Sequence, residues 1–124
     1  MKLVVNLVLG LHRAVLAEGL TLAKAAGLDL AAALEVLKAG PAYSTVMETK
    51  GPKMLAGNFS PEARLAQHLK DVRLILTLGR QVDAGLPLSS LHEQLLQQAV
   101  DLGFGDSDNC AIIKAIEASH QGGV

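Results

Sequence analysis

Aromatic side chains are almost missing: one tyrosine, two phenylalanines and no tryptophan in 124 residues. The core must therefore come from Leu, Val, Ile, Ala and Met, and abundant Ala and Leu favour helices. The same scarcity removes the stacking platforms that single-stranded nucleic acid needs. Eleven basic residues balance twelve acidic ones, so no basic footprint for a phosphate backbone forms, and nucleic acid is not an expected partner. A single cysteine, Cys110, excludes an internal disulfide and is compatible with a reducing, cytoplasmic setting. No stretch alternates with period two for long enough to predict a strand, and there is no internal repeat or low-complexity segment.

What is present is apolar. Half of the residues are hydrophobic and only 19% are charged, which excludes a disordered chain. The length suits one domain with a real core. The start mimics a secretory signal, with a basic residue, an apolar run over 3–11 and a small-residue site at Val15-Leu16-Ala17. Asn6 interrupts that run, however, and His12-Arg13 falls where the cleavage region belongs. The run is also too short to span a bilayer, so no membrane partner is expected.

The punctuation is that of helices. A first helix is predicted from Lys2 to Ala26, stopped by Gly27; Asp29 caps a second through Ala39, ended by Gly40-Pro41. A broken region follows, with a short helix near 44–50 and another turn ending at Gly57. Ser60 as N-cap, Pro61 at the first helical position and Glu62 at the positive end of the dipole predict a helix that Gly85 ends. Its apolar residues Leu65, Leu69, Val72 and Leu76 recur every three or four positions. Ser90 to Glu93 form a capping-box pattern for a helix to about Leu102. Gly103 and Gly105 break it, and Asp106 to Asp108 cap a last helix through about Ser119. The domain is expected to cover 1–121, with 122–124 as a frayed tail. The first helix is apolar nearly all round, unlike a surface helix. It should be central, or covered by something outside these residues.

Most searches for chemistry come back empty. The glycines are helix stops, not a phosphate-cradling fingerprint. His12, His68, His92 and His120 form no metal constellation; His68 and Asp71 share a face at i,i+3, but as a surface pair. The run from Asp106 to Cys110 has Asp at the first and third positions of a calcium loop, yet Ala111 replaces its turn glycine. No metal site is expected. Cys110 has no base beside it in sequence to make it a nucleophile. That leaves lysines. Lys2 and Asn6 lie about 40° apart on one helical face, one turn on. Lys70 is followed by Asp71 in the best-specified helix. Spacing alone reads Lys2 as a solvated helix end and Lys70-Asp71 as a charged face.

Taken in order, several stretches resemble the C-terminal helical domain of the β-hydroxyacid dehydrogenases. These include 3-hydroxyisobutyrate dehydrogenase, tartronate semialdehyde reductase and the glyoxylate/succinic semialdehyde reductases. "MKLVVN" resembles the K-x-x-N-N opening of that family's long interdomain helix. "AEGLTLAKAAGLD" at 17–29 is similar to its continuation. "KGPKMLAGNFSPEARLAQHLKDVRL" at 50–74 resembles the segment with the family's Lys-Asp pair. "GLPLSS" and "GFGDSDNCAII" are similar to its later loop and final cap. Val5 departs from the family's first asparagine, and Ala63 from a phenylalanine that shapes the substrate pocket.

The resemblance implies an all-α bundle like the C-terminal domain of 6-phosphogluconate dehydrogenase, built around the long apolar first helix. It implies Lys2 as the catalytic lysine, Asn6 and Asp71 at the substrate, and Lys70 at the NAD or NADP cofactor. An ammonium can give a proton to the alkoxide formed on reduction and recover one in reverse. Asn6 can orient it without adding charge. The expected substrate is a small hydroxy acid or its semialdehyde, and a homodimer is expected. The family's cofactor site lies in an N-terminal Rossmann-like domain, absent from these residues. Met1-Lys2 coincides with an internal methionine-lysine of relatives, so a truncation, an internal start or half of a split gene is expected, inactive alone. The competing reading is a non-catalytic helical association module.

Overall fold

The computed structural model describes residues 1–121. The helices are α1 (Lys2–Ala25), α2 (Leu30–Ala39), α3 (Val46–Thr49), α4 (Gly51–Ala56), α5 (Leu65–Gln81), α6 (Pro87–Ala99) and α7 (Ile112–Gln121). A π-type turn (Val100–Phe104) and a 3-10 turn (Asn109–Ala111) link α6 to α7. Among the described residues there is no strand, only an isolated bridge between Arg64 and Asp108. The expected tail at 122–124 lies outside the described residues.

Several boundaries fall where the caps put them. Asp29 accepts from the amides of Ala31 and Ala32 and starts α2. Gly57 ends α4 in the left-handed region, at φ 65°. Two predicted starts are wrong. Ser60 does not cap α5, which begins five residues later at Leu65. The amides that a cap would have served are taken by a distant segment. Glu62 and Ala63 donate to Asp108 Oδ1 at 2.9 and 3.1 Å. Leu65 and Ala66 donate to the Ser107 and Gly105 carbonyls, each at 2.9 Å. Nor does Ser90 open α6, because Pro87 already occupies its first turn and Ser89 is buried within it. At its other end α5 stops at Gln81, four residues before Gly85, and Asp83 takes the positive φ of 59°.

The core draws on all seven helices, and four supply most of it. Leu16, Ala17 and Leu20 of α1 pack with Leu65, Leu69, Val72 and Leu76 of α5, with Leu96 and Ala99 of α6, and with Ile112 and Ile116 of α7. Each fully buried Leu or Ile contributes about 1.5–3 kcal/mol by leaving water. α1 touches α2, α3, α5, α6 and α7, so it is central as predicted. Its 24 residues are long and apolar enough to cross a membrane by length and composition, which the run 3–11 did not suggest. Its buried face runs from Gly10 to Ala23 and includes Arg13. Towards the N-terminus Val4, Val5, Val8 and Leu9 remain exposed.

Candidate active site

Gly10 sets how closely α1 and α5 approach. A Cβ there would lie 2.4 Å from His68 Nε2 and 2.9 Å from His92 Cε1, so only glycine lets both imidazoles reach the helix. The two rings sit 5.2 Å apart, tilted by 54°. Burial, with the Arg13 charge beside it, pushes His68 down to about 3 and His92 to about 4. Both are therefore neutral at physiological pH.

Beside this contact lies a cleft of about 260 Å³. Asn6, Leu9 and Arg13 of α1 form one wall, and Gln67, His68 and Asp71 of α5 the other. Ala63, Arg64 and Asn109 close it. Two predicted site residues, Asn6 and Asp71, are thus brought to one cleft from helices 65 positions apart (71 − 6). Both are half-buried. The lysines are not part of its lining. Lys2 is exposed one turn before Asn6, and Lys70 is exposed next to Asp71. Along their helices Lys2 is four residues and Lys70 one residue from the nearest cleft-lining side chain named above.

The closing segment is fixed by a buried ion pair that sequence reasoning missed. Lys50 Nζ donates to both carboxylate oxygens of Asp108, at 3.1 and 3.0 Å, and Asp108 is fully buried. Burial alone would raise the Asp108 pKa. The Cys110 thiol, the Glu62 amide, the Lys50 ammonium and the Cys110 amide outweigh it and hold the carboxyl well below the usual range. Asp108 does cap the following turn through the Cys110 amide, as the sequence suggested. It also ties in residues 62–63, 46 positions from it in the case of Glu62. Burial, then the hydrogen bond to Asp108 and its charge, pushes the Cys110 thiol up to about 12, so it is no nucleophile. The tertiary partners of Lys50 and Asp108 leave no local signal; only the Asp-Ser-Asp cap pattern hinted at one of them.

Arg13 was also missed. Sequence reading used it only to argue against a cleavage site, yet it is 8% exposed and faces the cleft. Burial lowers its pKa, opposed by the charge of Asp108, and a guanidinium still stays protonated.

The structure is an all-α bundle around a long apolar helix, with Asn6 and Asp71 on one cleft. Residues 1–116 match the family model described as "NAD-binding of NADP-dependent 3-hydroxyisobutyrate dehydrogenase". The chain belongs to that family. It is 33% identical over 121 residues to glyoxylate/succinic semialdehyde reductase 1 of Arabidopsis thaliana, covering 98% of this chain and 42% of the relative. It is 35% identical over 115 residues to the human cytokine-like nuclear factor N-PAC, covering 93% of this chain and 21% of that protein. The structure of 3-hydroxyisobutyrate dehydrogenase from Salmonella typhimurium superposes with a TM-score of 0.88 at 27% identity, over 91% of this chain and 40% of that one. The chain thus spans under half the length of these relatives.

Proposed function

We propose that this chain is the helical domain of a cytoplasmic NAD(P)-dependent oxidoreductase that interconverts a small hydroxy acid and its aldehyde or keto form. The observation that carries the reading is the convergence of Asn6 and Asp71 on one cleft, with Lys2 one turn from Asn6. A cleft of about 260 Å³ suits a small acid but not a dinucleotide, which needs a site towards the upper end of the usual pocket range. Most of the cofactor therefore belongs on a Rossmann-like domain, with Lys70 as this chain's contact to it. The bound nicotinamide supplies or accepts the hydride.

The remaining work falls to this chain. Lys2 Nζ gives a proton to the substrate oxygen during reduction and takes it back during oxidation. Asn6 holds that oxygen through its carboxamide N–H, and its own oxygen accepts from the Lys2 ammonium. Asp71 accepts from a substrate hydroxyl. The exposed Val4, Val5, Val8 and Leu9 support a covered interface there, with the cofactor domain or a second copy in a homodimer. Sedimentation of the chain at about tens of micromolar separates the dimer from a monomer.

The same exposed apolar residues of α1 favour a second reading, a helical association module without catalysis. Turnover discriminates. The protein carrying this chain together with its cofactor domain should reduce glyoxylate, succinic semialdehyde or tartronate semialdehyde with nicotinamide oxidation followed by absorbance. No turnover of any of the three, by a folded protein that binds NADPH or NADH, would leave the association module.

A further inference from the structure

Among the described residues, four buried side-chain atoms have no hydrogen-bond partner in the protein: Arg13 Nε and Nη1, His68 Nε2 and Asn109 Oδ1. All three residues line the same cleft and are at least nine-tenths buried, at 8%, 8% and 5% exposure. Among the described residues no other fully enclosed side-chain nitrogen or oxygen lacks a partner, so the unmet groups concentrate at this cleft. A buried guanidinium with unmet N–H groups is among the costliest arrangements an interior can hold.

The nearest carboxylate does not relieve it. Asp108 acts on Arg13 through space, but its oxygens are taken by Lys50 and by the amides of Glu62, Ala63 and Cys110. Arg64 adds a second cation to the lining against the single carboxylate of Asp71. The cleft is therefore net positive.

Its charges are also ordered along its length. Asp108, whose charge acts on Arg13, is held against residues 62–64, and the Asn109 amide is bonded to the Ala63 carbonyl at 2.9 Å. Asp71 lies two turns further along α5. Arg13, Arg64 and Asn109 thus share one end, and Asn6 and Asp71 the other. Asn6 and Arg13 lie seven positions apart on α1, about 10 Å along its axis.

We propose that Arg13 is a carboxylate receptor at the far end of the cleft, selecting substrates whose acid group lies several atoms from the reacting carbon. The planar guanidinium presents N–H groups in the fork that a carboxylate matches. Asn109 accepts from a hydroxyl on the ligand, or offers its N–H2 once its amide is turned. Neutral His68 walls the site without repelling or neutralising the anion. A substrate held this way places its carbonyl near Asn6 and Lys2, with Asp71 disfavouring the reverse orientation by charge. The selection rests on the dehydrogenase reading; the carboxylate site itself does not.

The test is an NMR titration of the Arg13 Nε–H resonance in the full 124-residue chain with succinate. Succinamide serves as the uncharged control and chloride as the ionic-strength control. Succinate should shift the resonance saturably while succinamide and chloride do not. Followed by the Asn109 backbone amide resonance, Arg13→Met should weaken binding about 10–100-fold, as loss of a charged hydrogen-bonding partner does, with helix content by circular dichroism unchanged. No saturable shift, or equal shifts with succinamide or chloride, would overturn the receptor. If Arg13→Met does not fold, the three-ligand comparison on the unaltered chain still decides. In the intact enzyme Arg13→Met should raise KM for succinic semialdehyde about tenfold or more and leave that for glyoxylate, whose acid adjoins its carbonyl. Equal effects on both would remove the selection. Because the titration needs no turnover, its failure leaves the role of Lys2 standing, and a dispensable Lys2 leaves the titration standing.

Discussion

His68 and His92 meet α1 only because residue 10 has no side chain, and their burial has a consequence for acid stability. In the unfolded chain each imidazole titrates near 6.5. In the folded protein they are held neutral down to about 3 and 4. Below pH 6.5 the unfolded chain therefore binds protons that the native one refuses, and stability falls with pH. Each such proton costs about 1.4 kcal/mol per pH unit. The groups acting on the pair are Arg13 and, for His68, His92. Asp108, held well below its unfolded value near 3.9, adds to the fall only from about pH 5 downward. Urea midpoints should drop steeply between pH 6.5 and 4 with an unchanged m value. His92→Gln should flatten the slope, and a slope unaltered by it would show that these histidines do not set acid stability.

Helix starts show what local pattern can and cannot fix. The apolar face of α5 was legible because Leu65, Leu69, Val72 and Leu76 repeat at helical spacing, and all four are in the core. Its start was not legible. A Ser-Pro-Glu sequence has the chemistry of a cap, but Asp108 reaches the same amides from 46 positions away, and a buried carboxylate held by Lys50 prevails. Ser60→Ala should therefore cost under about 0.5 kcal/mol, as surface changes do. Asp108→Asn should cost about 3–5 kcal/mol, the loss expected on stranding one partner of a buried pair. Paired urea unfolding curves check both. A costly Ser60→Ala with a mild Asp108→Asn would reverse this assignment of the α5 start.

For the whole molecule, the all-α architecture followed from helix punctuation and the near-absence of aromatics. The site followed only in part. Resemblance pointed to Lys2, Asn6, Lys70 and Asp71, and the fold brings Asn6 and Asp71 to one cleft with a lysine flanking each. Arg13 and Asn109 stayed hidden because nothing local separates a buried arginine from an exposed one. The exposed apolar residues at the start of α1 are the surface that the proposed interface would cover.

The central claim, that Lys2 exchanges the proton with substrate, is tested most directly by the kcat of Lys2→Ala. The measurement belongs in the enzyme that carries this chain and its cofactor domain, on its best aldehyde substrate. General acid–base catalysis contributes about 10²–10⁴-fold, so kcat should fall at least that far while helix content is unchanged. Lys2→Arg should not restore it, because a guanidinium cannot give up its proton. A Lys2→Ala enzyme with near-normal kcat would contradict the account and leave Lys2 as a solvated helix end.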